Sequence, residues 1–254
     1  MQIVISKTSD ELGRRAAALS AHRINEAIRD HGCARIVLST GASQFDTLKY
    51  LVKEDVDWQK VEMFHLDEYI GMPETHPASF RKYLKERFVA YANVKAAHFV
   101  DGTLAGIAAL TEEIRKAPID LGLIGIGRNG HIAFNDPPAD FETDAAYLVV
   151  QLDATCRNQQ LSEGWFATLD EVPKQAVSMS VKQIMACKCI ISAVPHSEKA
   201  WAVAQTLKNP LTNQVPATML KTHADFHLFV DADSFADVSE IVPLGQEVVC
   251  KDYR

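Results

Sequence analysis

Short apolar runs of strand type recur along the chain at residues 2–5, 35–38, 61–66, 121–126, 147–152, 189–194 and 227–230. Segments with helical spacing separate them, at residues 9–30, 43–53, 78–88, 104–116, 181–186 and 197–207. Strand-type runs that alternate with helical patterns predict βαβ units around a mostly parallel sheet. No segment is rich enough in proline, glycine or serine to act as a linker, and no internal repeat is present. The expectation is one α/β domain over residues 1–254, a Rossmann-like open sheet with helices on both faces.

Composition narrows the partners. Of the 254 residues, 47% are hydrophobic and 23% charged, the balance of an ordinary globular protein. There is no apolar run of membrane-spanning length and no signal-peptide pattern, so the expected location is the cytoplasm, without membrane contact. A net charge of -7 argues against nucleic acid as a partner, which needs a basic footprint. A small phosphorylated ligand stays open, because backbone amides and one or two cations can make a local anion site. The five cysteines, an odd number without a regular framework, read as reduced thiols. Cys187-x-Cys189 has the wrong spacing for a zinc hook and lies in an apolar run, where thiols pack as small hydrophobes.

Ligands of open parallel sheets gather beyond the carboxyl ends of the strands, so the residues after each run carry the chemistry. After residues 35–38 comes Ser39-Thr40-Gly41-Ala42-Ser43-Gln44, opening into a helix. Free N–H groups and a positive dipole end make such a turn a phosphate site. The alternative is a plain strand-to-helix turn with Ser43 as N-cap. The Gly-Lys-Ser/Thr of a nucleoside-triphosphate loop is missing, so ATP and GTP are not indicated. After residues 61–66 comes Asp67-Glu68, two carboxylates that point to opposite sides of an extended chain. One can face the site while the other holds the loop; the alternative is a solvated or capping turn. After residues 189–194 comes Pro195-His196-Ser197-Glu198-Lys199. A lysine in the first turn of a helix is mildly unfavourable for the dipole, which makes sense if it joins the terminus in holding an anion, and otherwise it is a solvated surface residue.

The fourth strand end, "GLIGIGRNGHIAFNDPP" at residues 122–138, contains Gly125-x-Gly127-x-x-Gly130, the spacing of a dinucleotide fingerprint. In that fingerprint the third glycine opens a long helix. Here only six residues, 131–136, separate Gly130 from Pro137-Pro138, and consecutive prolines stop a helix whose first turn has just formed. Nicotinamide binding is therefore rejected. What remains is a glycine turn that brings Asn129, His131, Asn135 and Asp136 together. Histidine, with an ordinary pKa of about 6.5, exchanges protons at neutral pH, and a nearby carboxylate can orient it. The alternative is a structural histidine bonded within its loop.

Taken together, Ser39-Thr40-Gly41, "LDEYIGMPETHPASFRKYL" (66–84), "GIGRNGHIAFNDP" (125–137) and "SEKA" (197–200) resemble the glucosamine-6-phosphate deaminase (isomerase) family. The related 6-phosphogluconolactonases share the fold and a Gly-His, but usually continue with Thr-Ala-Ser rather than Ile-Ala-Phe-Asn. The resemblance implies an aldose-to-ketose isomerisation with loss of ammonia, from glucosamine 6-phosphate to fructose 6-phosphate, with no metal and no redox cofactor. It implies that Asp67 takes the C2 proton and returns it to C1, and that His131, supported by Asn129 and Asp136, opens the pyranose ring. Ser39, Thr40, Gly41, Ala42 and Ser43 would hold the phosphate, with Lys199 as its cation.

The chain departs from the family pattern in three places. Familiar members carry glutamate where this chain has Asp136, and some carry aspartate where it has Asn129. An arginine on the phosphate is also expected downstream, and the nearest candidate, Arg157, is out of register. The polar and aromatic block 157–166 reads as a local variation of the pocket, or else as a surface helix anchored by Trp165 and Phe166. Two other functions stay open on sequence: a lactonase in which His131 activates water, and a sugar-phosphate sensor without turnover. The preferred epimer and allosteric control are not legible, and a homo-oligomer is left open.

Overall fold

Two sheets organise the computed structural model, which describes residues 1–162 and 164–254. The strands are β1 (Gln2–Ser6), β2 (Ala34–Leu38), β3 (Val61–His65), β4 (Asp67–Tyr69), β5 (Ala96–His98), β6 (Leu121–Leu123), β7 (Tyr147–Gln151), β8 (Gln175–Met179), β9 (Cys189–Val194), β10 (Phe226–Asp231) and β11 (Val249–Tyr253). The helices are α1 (Ser9–His31), α2 (Phe45–Leu51), α3 (Phe80–Leu84), α4 (Ala90–Ala92), α5 (Leu104–Ile114), α6 (Ala154–Ser162), α7 (Val181–Met185) and α8 (Ala200–Lys208). The central sheet has the order β11-β1-β10-β9-β6-β2-β3-β5, and every pairing in it is parallel.

Alternation along the strands divides the apolar side chains between two faces. Ile3, Ile5 and Val37 pack with Leu110 and Ile114 of α5, Val181 of α7 and Val203 of α8. Val4, Ile36 and Leu38 pack on the other face with Leu12, Ala16 and Ile24 of α1 and Leu48 of α2. β2, β9 and β10 are buried at every residue, which is why they read as unbroken apolar runs in the sequence. α1 is the helix most fully specified by its own residues. The Thr8 side chain accepts a bond from the Glu11 amide at its start, and Gly32 with φ 81° closes it.

Three strand expectations change. The run 147–152 forms β7 over Tyr147–Gln151, in a separate antiparallel sheet of order β4-β8-β7, not a strand of the parallel sheet. β7 alternates between covered and more exposed residues, the pattern of a sheet that is covered on one side. The run 61–66 ends as β3 at His65, and Asp67–Tyr69 crosses into the small sheet, with Asp67 opposite Ser178 of β8. The run 121–126 is a strand only to Leu123; beyond it the Ile124 amide still donates to the Ile191 carbonyl at 3.0 Å. The expected helix at residues 43–53 begins as a 3-10 turn, Ala42–Gln44, with Gly41 as its N-cap, so Ser43 does not cap a helix.

Candidate active site

One cavity opens over the carboxyl ends of β2, β3, β6 and β9. Thr40 to Ser43, Asp67, Gly125 to Arg128, His131 and Lys199 line it, and Trp165 with Gln159 and Gln160 close one side. This is where ligands of a parallel sheet collect.

The loop after β2 is fixed by its neighbours. The Ser39 hydroxyl accepts a bond from the Gly125 amide at 3.1 Å, and the Tyr83 hydroxyl donates to the Gly41 carbonyl at 3.0 Å. Ser39 thus joins the β2 loop to the β6 loop while it also lines the cavity. Lys199 follows β9 in a 3-10 turn, Ser197–Lys199, and its ammonium donates to the Ile126 carbonyl at 2.8 Å. The turn is tied to the end of β10, because the His196 amide donates to the Asp231 carboxylate.

The adjacent carboxylates divide their tasks. Glu68 is fully buried and accepts bonds from the Ser79 hydroxyl (2.9 Å), the Arg81 amide (2.9 Å) and the Phe80 amide (3.2 Å), with the Arg81 guanidinium at 3.3 Å. It therefore fixes the start of α3 against β4. Asp67 lines the cavity, and burial, reinforced by the Glu68 charge, pushes its carboxyl up to about 8. A carboxylate raised this far is a stronger base than one in water and is ionised at mildly alkaline pH.

The β6 loop carries the histidine. The Gly127 amide donates to the His131 carbonyl at 2.8 Å and the Gly130 amide to the Gly127 carbonyl at 3.0 Å, so the chain doubles back on itself. A Cβ on Gly127 would overlap the His131 imidazole, and one on Gly130, where φ is +83°, would stand 2.8 Å from Val215 Cγ1. Gly127 makes room for the ring, and Gly130 supplies the positive φ of the turn against Val215. No helix follows Gly130 until α6. We expect Gly127→Ala to lower turnover by about a hundredfold or more, since a displacement of about 1 Å at a reacting group costs that much. Steady-state kinetics on folded variant checks this.

Nδ1 of His131 lies 2.9 Å from Asp136 Oδ1. Asn129 ties the pair together: its Oδ1 accepts from the His131 amide at 3.0 Å and its Nδ2 donates to Asp136 Oδ1 at 3.1 Å. An aspartate at position 129 would have no hydrogen to donate there, so asparagine here and the short carboxylate at 136 are matched to each other. Burial opposes ionisation of Asp136, but the contacts with His131 and Asn129 hold its carboxyl below the ordinary value. Asn135, the other polar residue of the loop, turns away to structural work: its amide donates to the Ile132 and Met179 carbonyls.

Three groups of His, Cys, Asp and Glu among the described residues are close enough to share a cation. In two of them cationic side chains already neutralise the carboxylates: Arg23 on Asp225, and Lys95 and Lys116 on Glu62 and Glu113. In the third, His131, Asp136 and Cys156, the 2.9 Å between Nδ1 and Oδ1 is an ion-pair separation. Two ligands of a tetrahedral zinc with bonds of about 2.1 Å stand about 3.4 Å apart.

The residue pattern matches the family described as glucosamine-6-phosphate isomerases/6-phosphogluconolactonase over residues 7–228. This chain belongs to that family. It is 30% identical over 235 residues to a glucosamine-6-phosphate deaminase of Lactobacillus delbrueckii subsp. bulgaricus, covering 91% of this chain and 97% of the relative. Its fold superposes on that of a monomeric glucosamine-6-phosphate deaminase with a TM-score of 0.84 at 28% identity, over 93% of this chain and 100% of the other. A 6-phosphogluconolactonase of Trypanosoma brucei shares the fold at 16% identity, with a TM-score of 0.74 and coverage of 94% and 98%.

Of the residues singled out from the sequence of this isomerase and lactonase family member, Ser39 to Ser43, Asp67, His131 and Lys199 line the one cavity, whereas Asn129, Asn135, Asp136 and Arg157 do not. Arg157 turns away: its guanidinium donates to the Val172 carbonyl at 3.2 Å and to that of Leu169, which pins α6 to the following loop. Arg128, next to Gly127, lines the cavity instead. Asp136 stands behind His131 rather than lining the cavity itself. The block 157–166 does contribute to the wall, through Gln159, Gln160 and Trp165; its Glu163 lies outside the described residues. Phe166 packs into the apolar cluster with Tyr69 and Phe134. Tyr83 and Glu198 also line the cavity and were not singled out, because neither has a spacing signal of its own.

Proposed function

We propose that the protein is a glucosamine-6-phosphate deaminase, converting glucosamine 6-phosphate and one water to fructose 6-phosphate and ammonia. The reading rests above all on Asp67, a carboxylate with a raised proton affinity in the same cavity as His131. A carbon acid needs one base aimed at carbon, and ring opening needs a second group for the oxygens. His131, charge-stabilised by Asp136 and aligned by Asn129, moves the proton between the anomeric hydroxyl and the ring oxygen. Asp67 then takes the C2 proton, leaving an enolamine, and returns it to C1. Water hydrolyses the resulting imine at C2, and ammonia leaves. No step calls for metal or redox chemistry.

Thr40, Gly41, Ala42 and Ser43 hold the phosphate with Lys199, and Ser39 braces that loop. The whole chain acts as one sugar-phosphate isomerase/deaminase unit, placed in the cytoplasm. No helix among the described residues is long and apolar enough to cross a membrane. A lactonase would have no use for a carbon base at Asp67. Supplying the purified protein with glucosamine 6-phosphate and, separately, with 6-phosphogluconolactone separates the readings. Ammonia from the first with little lactone hydrolysis supports deamination, and the reverse outcome overturns it.

The proton affinity of Asp67 also fixes a pH dependence. For the free enzyme, kcat/KM should rise about tenfold per pH unit below about 8 and level off above it. The limb in kcat should lie lower, because a substrate ammonium beside the carboxylate favours its charged form. Profiles of both constants between pH 5 and 9 check this; a flat acid side would argue against Asp67 as the base.

A further inference from the structure

Asp136 uses one oxygen twice. Its Oδ1 faces His131 Nδ1 at 2.9 Å and accepts from Asn129 Nδ2 at 3.1 Å, whereas its Oδ2 is buried and has no hydrogen-bond partner among the described residues. A buried carboxylate oxygen without a donor is costly, so what stands beside it matters. Beside the carboxylate stands Cys156, fully buried on the first turn of α6, whose Sγ, one carboxylate oxygen of Asp136 and a ring nitrogen of His131 all lie within 4.8 Å of one another. The approach of Cys156 is itself fixed. Asp153 caps α6 by accepting the Cys156 amide at 2.7 Å, and the Gln159 side chain accepts the Arg128 amide from the histidine loop at 3.3 Å.

We propose that Cys156 is a positioning residue for the deamination. Its thiol donates to the free oxygen of Asp136 and so holds that carboxylate against His131. This rests on the deaminase reading of the site. The short aspartate has one methylene less to brace it than a glutamate, and the thiol from α6 supplies the missing support. Burial together with the Asp136 and Asp153 charges keeps the thiol protonated, so it remains a neutral donor across the working pH range. A thiol is a weak donor, but in a buried site it fixes the direction of a carboxylate, as outer partners of catalytic histidines do.

The test compares Cys156→Ser, which keeps a donor, with Cys156→Ala and Cys156→Val, which do not. In the ammonia assay, the alanine and valine variants should lose about tenfold to a hundredfold in kcat with KM changed less than about threefold. Serine should restore kcat to within about fivefold of wild type. As a second measurement, Cys156→Ala introduced into Asp136→Asn should change kcat less than twofold, since the thiol then has no carboxylate to hold. Wild-type turnover in the alanine or valine variant, an equal loss in the serine variant, or an additive effect in the double variant each overturns the assignment. Absence of ammonia release from the wild type would instead strike the deaminase reading itself.

Discussion

Asp67→Asn is expected to lower ammonia release from glucosamine 6-phosphate by about a thousandfold or more, with KM changed only a few-fold. The amide keeps the size and one acceptor of the carboxylate but cannot take a proton from carbon, so substrate should still bind. The same substitution should stabilise the free protein at alkaline pH. Asp67 has a folded-state pKa of about 8 against an ordinary value of 3.8, so the native state holds the proton more tightly than the unfolded chain. Stability from this group is therefore present at low pH and is lost as pH rises from about 4 through about 8. Asparagine escapes that loss, and melting at pH 9 should show a gain of about 2 to 5 kcal/mol. A variant that is inactive and also less stable than wild type would mean that the side chain serves the fold instead.

His131→Gln should show the second largest effect, a fall in kcat of about a hundredfold to a thousandfold. Glutamine can still bond within the loop but cannot shuttle a proton between two sugar oxygens. An acyclic amino-alditol phosphate needs no ring opening, so calorimetry should find it bound equally well by variant and wild type. Loss of that binding along with turnover would mean that the ring supports the cavity rather than the proton transfer.

Most strands of the central sheet and the position of the cavity follow from features visible in the chain, whereas the strand order and the edge strands β5 and β11 do not. The fully buried strands announce themselves as apolar runs, and α1 carries its own cap residues at Thr8 and Gly32. The rejection of a dinucleotide site also stood on local chemistry, since Pro137-Pro138 leaves no length for a helix after Gly130. The small antiparallel sheet was less legible. β4 has three residues that continue directly from an apolar run, and only its pairing with β8 separates it from β3.

Within the site, residues attached to strand ends were readable and those brought in from elsewhere were not. Asp67, His131 and Lys199 each follow a strand, so position singled them out. Arg157 looked like the cation nearest to the expected place, yet its guanidinium is consumed by the carbonyls that end the helix region. Arg128 was hidden inside the glycine motif, where the spacing of the glycines drew the attention. Cys156 reaches Asp136 only because α6 folds back over the histidine loop, a contact between residues 20 apart that no local pattern encodes.

The most direct test is a coupled assay of ammonia released by the purified full chain from glucosamine 6-phosphate, run with and without a metal chelator. Equal amounts of ammonia and fructose 6-phosphate, formed at enzymatic rates and unchanged by the chelator, are the predicted result. Saturable binding of the sugar phosphate with no ammonia, and none from the galactosamine epimer, would contradict it.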